Sequence, residues 1–396
     1  MATSSRMTPS NSKYPMRILF CCPTPVTLTL GASKVYLEAA EGFRRAGWQV
    51  VVIGPEEVAG GPPGDMFTQP PRLREYLRRH ASEFDVVEYE HHQLPFPRSD
   101  FPSGSLFVAR SMLLTHTLAS ARIPPRPVFR ARLGRLLKGW WERRRLGQMV
   151  RQADLTLEAA DLINVCNTTE RDTLVAHGHP ADKICTFPFG LFPERLAAFL
   201  SDARVLPNPL VVGFVGTFDP RKGMCEFPAL VDRVVCRNPE VTFRLLGTAG
   251  MVPDADGVRG YLPRRLWPRL EIYPRYDPNE LPGLLAGVSV GVFPTRIEGF
   301  PFGVLEMLAA AVPVIAYDAP GPNVMLPPEY LVPVGSVGDL ADRVCDLLAD
   351  PDRLRAARLW ARGRAASFDW ERVAMDTARV YLDKQAGRRG RPPPPL

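Results

Sequence analysis

Hydrophobic positions along the chain fall into short apolar runs separated by segments with helical spacing. Arg17–Cys22 is an apolar run. A loop containing Gly31 follows, and residues 34–46 then place Val35, Ala39 and Phe43 on one helical face before Gly47. Trp48–Ile53 is the next apolar run, so the opening predicts strand, loop, helix and strand, the start of a parallel α/β sheet. Phe84–Tyr89, Leu106–Ala109 and Ala160–Val165 continue as predicted strands. The same order restarts at Leu210–Val215, followed by a loop through Gly223 and a helix to about Arg237. Val241–Leu246, Leu270–Tyr273, Val288–Phe293 and Val312–Tyr317 are further strands, and only helices are expected from Asp339 to about Lys384.

This pattern predicts an α/β protein of two Rossmann-like, doubly wound domains, with ligands at the carboxyl ends of the strands. The expected boundaries are a disordered leader at 1–15, an N-terminal domain at 16–205 and a C-terminal domain at 206–366. A basic, Pro-rich disordered tail is expected at 387–396. Ser201–Pro209, polar and Pro-containing, is the expected linker.

Composition narrows the picture modestly. With 396 residues, 45% hydrophobic and 23% charged, the chain has the profile of a globular protein of two domains. The uncharged stretch Ile18–Ser33 resembles a signal-peptide core, but Pro23 and Pro25 interrupt it and a helix follows at once, so it reads as a buried strand and its loop. Seven cysteines, odd in number and without a Cys-x-x-Cys, argue against a disulfide framework or a zinc site and favour a cytoplasmic location.

The net charge of +7 suits anionic partners. It is concentrated: Arg122 to Arg151 holds ten basic residues against Glu142 alone, a local balance of +9 that leaves about −2 for the remainder. Apolar residues including Trp140 and Trp141 recur there at helical spacing. Two readings follow, a domain helix with a basic outer face or a peripheral contact with an anionic membrane at 122–151. No nucleic-acid recognition motif accompanies the charge, and no Gly-x-Gly-x-x-Gly follows either opening strand, which argues against a nicotinamide enzyme.

The segment with most chemistry runs from Phe293 to Pro313. A strand ends, a Gly/Pro loop carries Glu298, and an apolar helix beginning near Pro301 carries Glu306. The first-turn amides of Phe302, Gly303 and Val304 form an anion site there, and Gly303 allows close approach of a phosphate. A carboxylate deeper on the helix suits a ribose diol, and one on the loop suits sugar hydroxyls. Earlier, Gly216-Thr217-Phe218-Asp219-Pro220-Arg221-Lys222-Gly223 supplies cations that would stabilise a departing diphosphate. The alternative is a pair of surface charges in a turn.

Together these segments resemble the Glu-x7-Glu and Lys-Gly motifs of the retaining GT-B glycosyltransferases of family 4, over residues 16 to about 384 and more closely in the second half. The resemblance implies a GT-B fold with two domains facing a central cleft, the first binding acceptor and the second a nucleotide-sugar donor. It also implies a helix at 367–386 returning to the first domain. The implied activity is transfer of a hexose from a UDP- or GDP-sugar to an acceptor hydroxyl with retention, without metal or cofactor. By the same resemblance Glu298 and Lys222 are catalytic, and the donor is held by Gly31, Thr217, Arg221, Lys222, Glu298, Gly299, Phe300, Phe302, Gly303, Val304 and Glu306. The chain departs from the family at Thr217, which stands where relatives have arginine, and at Met112, where they have histidine. His116 lies one helical turn from that second position, and His91 and His92 follow the strand ending at Tyr89, on the side expected to face the cleft. Two alternatives remain at this level, a catalytically degenerate binding subunit and a UDP-sugar epimerase of the same fold.

Overall fold

The computed structural model describes residues 15–27, 31–59, 69–125, 134–199 and 204–388. The chain divides into two compact units, Met1–Ala119 with Trp140–Phe189 and Trp370–Leu396, and Ser120–Gly139 with Gly190–Asp369.

The first unit is built on β1 (Arg17–Cys21), β2 (Gln49–Ile53), β3 (Val86–Glu90), β4 (Leu106–Arg110), β5 (Leu162–Val165) and β6 (Ile184–Thr186). The order is β2-β1-β3-β4-β5-β6 and every pairing is parallel, with Leu19 opposite both Val51 and Val87. A parallel sheet carries helices on both faces, which is why its strands are apolar along their length. The exceptions are informative. Glu88, Glu90 and Arg110 are buried on β3 and β4, and buried charges persist only when paired.

Arg110 Nη1 lies 3.4 Å from Glu88 Oε1, Tyr381 Oη donates to Glu88 Oε2, and Asn164 Nδ2 donates to Tyr381 Oη at 2.8 Å. Burial pushes the Glu88 carboxyl up and the Arg110 charge opposes it. Tyr381 belongs to the helix Trp370–Arg388, so this network fastens the C-terminal helix to the first sheet. Replacing Tyr381 with Phe leaves Glu88 short of a donor at unchanged volume. A loss of about 1–3 kcal/mol is expected, read as a lower denaturant midpoint for the first unit.

The second unit contains β7 (Val211–Val215), β8 (Thr242–Leu246), β9 (Leu270–Tyr273), β10 (Val290–Phe293), β11 (Val314–Tyr317) and β12 (Leu331–Val332). Its order, β12-β11-β10-β7-β8-β9, is also wholly parallel. Read from β9, this is the 3-2-1-4-5-6 order of the Rossmann fold, with the reversal between β7 and β10. Val212, Phe214, Val290, Val292 and Phe293 form its centre and are fully buried. The short strands β6 and β12 were not expected from the sequence, since runs of three and two residues carry no periodicity.

The division between units falls at Phe189/Gly190, ahead of the expected boundary at 205/206. Leu191 N–H donates to Phe368 O at 3.0 Å, Leu191 bridges Asp369, and Arg195 Nη2 donates to Pro278 O at 2.5 Å. These contacts hold the segment after Gly190 to the second unit. The last helix continues to Arg388, past the expected start of the tail at 387, because Arg388 bonds to Asp161 and to Ser103 O. The rest of that tail, and the leader apart from Pro15, lie outside the described residues. The arginine-rich stretch leads into the helix Gly134–Ala159, but the side chains of 126–143, with Trp140 and Trp141, also lie outside them. Among the described residues, no helix is long and apolar enough to cross a membrane.

Candidate active site

Two loops leave the carboxyl ends of the strands that flank the reversal in the second sheet, residues 216–223 after β7 and 294–301 after β10. The first is organised by Asp219. Its Oδ1 accepts the N–H groups of Arg221 at 2.9 Å and Lys222 at 3.1 Å, capping the turn Pro220–Lys222. Its Oδ2 accepts the Thr217 hydroxyl at 2.7 Å. A hydroxyl has one proton, and in this arrangement that of Thr217 is directed at Asp219. Gly223 closes the turn at φ +92°, and a Cβ there would come within 2.4 Å of Pro294 Cγ.

The second loop carries Glu298. Its N–H donates to Pro320 O at 2.9 Å, and Gly321, at φ +97°, lies against it so closely that an added Cβ would sit 2.7 Å from Glu298 Cβ. Glu226 pairs with Arg296, holding the start of the loop.

The two loops meet in an ion cluster. Lys222 Nζ lies 2.8 Å and Arg221 Nη1 3.0 Å from the same Glu298 oxygen, and the Thr295 hydroxyl lies 3.4 Å from it. Arg221 Nη1 also donates to Ile297 O at 3.2 Å. Glu298 is buried, which by itself pushes its carboxyl up. The Lys222 and Arg221 charges outweigh burial and hold it below the ordinary carboxylate value.

The sign of the pH effect follows. A depressed folded pKa contributes stability that is present above the unfolded value of 4.5 and is lost as pH falls through the folded value. The second unit should therefore weaken below about pH 4.5, and Glu298→Gln should flatten that dependence in unfolding curves taken between pH 3 and 6.

The helix Phe302–Ala309 differs from expectation in two respects. Phe302 N–H donates to Phe300 O at 3.1 Å and Val304 N–H to Pro301 O at 2.9 Å, which leaves Gly303 as the one of the three amides with no acceptor among the described residues. Gly303 is glycine because of packing. A Cβ there would meet Val215 O at 2.4 Å, so its absence lets the helix lie on the end of β7. Glu306 is buried one turn further on, near Tyr276, whose phenol is pushed up by burial and then by the Glu306 charge. Phe300 is buried in aromatic contact with Phe302 at 4.9 Å and Phe368 at 5.9 Å, and Val304 is fully buried. Those two side chains pack. Gly299 lies beside them on the loop.

The remaining expected residue, Gly31, opens the helix Gly31–Arg45 of the first unit. In that unit Met112 N–H donates to Glu90 Oε1 at 3.2 Å. His91 places its Nδ1 2.7 Å from Glu90 and its Nε2 2.7 Å from Thr115 Oγ1, and His116 places Nε2 2.7 Å from Asp154. Burial lowers the His92 imidazole to about 4. Both ring nitrogens of His91 are thus engaged inside the first unit.

Asp219, Thr295, Gly321 and Tyr276 were missed in the sequence. Asp219-Pro220 is a legible cap with proline at the first helical position, and Pro320-Gly321-Pro322 is a legible turn. Thr295 and Tyr276 carry no local signal.

Residues 209–350, most of the second unit, match one protein family. It is glycosyl transferases group 1. The D-inositol 3-phosphate glycosyltransferase of Nocardia farcinica is 27% identical over 234 residues, covering 55% of this chain and 51% of the relative. The chain spans about half the length of the curated relatives it matches. Among solved structures, sucrose-phosphate synthase from Thermosynechococcus elongatus superposes with a TM-score of 0.75 at 20% identity, covering 94% of this chain and all of that one. Anabaena HepE, solved in complex with UDP-glucose, gives 0.64 at 15% identity, covering 92% and 99%. With two parallel six-stranded sheets, the fold is GT-B.

Proposed function

We propose that this chain is a retaining hexosyltransferase that takes a UDP- or GDP-sugar as donor and an acceptor hydroxyl as nucleophile. The observation that carries this reading is the placement of Lys222 and Arg221 on Glu298 at the Rossmann reversal. In such sheets, ligands bind outside the carboxyl ends of the strands at this point. Two cations and a carboxylate converging there suit a diphosphate joined to a polyol.

In the proposed reaction the bond from the anomeric carbon to the β-phosphate oxygen breaks, and a bond to the acceptor oxygen forms on the same face. The acceptor proton passes to the departing phosphate. Lys222, with Arg221, takes up the charge that develops on the diphosphate. Released from its cations, Glu298 accepts sugar hydroxyls. Glu306 accepts the ribose hydroxyls and the Gly303 N–H donates to a phosphate oxygen. Metal and cofactor have no part in these steps. The match to glycosyl transferases group 1 and the UDP-glucose complex of Anabaena HepE support the donor class.

The deciding experiment titrates the protein with UDP, GDP and ADP and repeats the tightest case with Glu306→Ala and Lys222→Ala. One nucleotide should bind, more weakly in both variants. Absence of binding by all three would overturn the donor assignment. Nucleotide binding without release of free or transferred sugar from any donor would instead favour a binding subunit, and a changed sugar still attached to UDP would mark an epimerase.

A further inference from the structure

Half of the chain's six histidines gather at one place in the first unit, on residues the proposed reaction does not use. His116 lies on the short helix Thr115–Ser120 and Asp154 on the helix Gly134–Ala159. His177 and His179 flank Gly178 at the C-terminal end of the helix Thr168–Ala176. His116 Nε2 is 2.7 Å and His179 Nε2 3.8 Å from the same Asp154 oxygen. The three ligand atoms all lie within 4.8 Å of one another.

We propose that His116, Asp154 and His179 form a binding site for a divalent transition metal, with zinc the best match to two imidazoles and a carboxylate. Zinc bonds of about 2.0–2.2 Å in a tetrahedral array separate the ligand atoms by roughly 3.3 Å. The two separations from Asp154 lie on either side of that value, so shifts of about half an ångström bring each of them to it.

The backbone holding His179 is already fixed. Gly178 takes φ +94°, His179 N–H donates to Leu174 O at 3.1 Å, and His177 N–H donates to Thr173 O at 3.1 Å. The ring of His177 is also oriented, with Nδ1 2.8 Å from Thr173 O and its centroid 5.0 Å from that of His116. An Nδ1–H directed at a carbonyl leaves Nε2 with its lone pair. A water supplies the fourth position.

Ions have access from solvent, because a surface depression lined by Asp154, Glu158, His177, His179 and Lys183 opens onto the cluster. The Lys183 ammonium is engaged by the carbonyls of Leu157 at 2.9 Å and Glu158 at 2.8 Å.

The second group of such residues, Glu90, His91 and His92, does not make the same case. Both nitrogens of His91 are already bonded to Glu90 and Thr115. Absence of a cysteine motif argued against zinc in the sequence. This site uses no cysteine, and its ligands come from three separate elements. A metal here would staple those elements of the first unit together, outside the donor reaction.

The test uses the full-length untagged protein, stripped of metal with EDTA and then titrated with Zn2+ by calorimetry and with Co2+ by visible absorption. One equivalent should bind, the cobalt form should show the strong bands of a tetrahedral site, and zinc should raise the melting temperature of the first unit. His179→Ala and, separately, Asp154→Asn should each weaken binding about 100-fold or more. Cys236→Ser, which removes an exposed thiol, should leave it unchanged. If Asp154→Asn does not fold, His179→Gln decides, because glutamine keeps a polar side chain of similar size at this buried position. The proposal fails if the wild-type protein binds no stoichiometric metal, if both His179 variants bind as tightly as wild type, or if binding is lost with Cys236.

Discussion

Replacing Lys222 with alanine should lower kcat by roughly 10²–10³-fold, with a smaller loss in donor affinity. Lys222 is held by the Asp219 cap, which fixes the turn from which its ammonium reaches Glu298. In the proposed reaction a fixed cation would stabilise charge that grows on the departing diphosphate, and only an interaction that strengthens toward the transition state raises kcat. Arg221 still pairs with Glu298 in the variant, so the buried carboxylate keeps a counter-charge and the fold should survive. Lys222→Arg should recover part of the rate, since it restores charge with a different reach. Steady-state kinetics on the donor identified by nucleotide titration would measure both. Unchanged kcat in the alanine variant would remove Lys222 from the chemistry and leave it a structural partner of Glu298.

Gly223→Ala is expected to cost about 2–5 kcal/mol of stability in the second unit, the sum of two penalties. A residue with a Cβ at φ +92° pays about 1–2 kcal/mol for the left-handed conformation. The new Cβ also falls 2.4 Å from Pro294 Cγ and 2.8 Å from Pro294 O, an overpacking that adds roughly 1–3 kcal/mol. Gly47→Ala separates the two, because Gly47 has φ +84° with no atom near an added Cβ. It should show the conformational penalty alone. Calorimetry suits the comparison, since two units need not unfold together. The Gly223 variant should also bind nucleotide poorly, because Pro294 begins the loop that carries Glu298. Equal losses in the two variants would mean that the contact with Pro294 relaxes freely.

The order of α and β elements was legible in the sequence because a parallel sheet buries both faces and its strands become uninterrupted apolar runs. Ten of the twelve strands among the described residues follow from such runs, among them Val211–Val215 and Leu270–Tyr273. The Glu298–Glu306 segment was legible for a related reason, since a buried strand, a Gly/Pro loop and a helix start are all local patterns.

Only the tertiary structure decided how those residues are used. Glu298 draws its partners Arg221 and Lys222 from a loop more than seventy residues earlier, and strand order alone brings the two loops side by side. Gly303 looked like room for a ligand and is room for Val215 O. Thr217 was expected to help hold the donor, and its hydroxyl donates a hydrogen bond to Asp219. Glu88, within the expected strand Phe84–Tyr89, is a buried carboxyl completed by Tyr381, far away in sequence. In each case the sequence by itself determined the chemical group and the element that carries it. Its partner depends on which elements pack together, and that is set by long-range burial, which leaves no trace in local spacing.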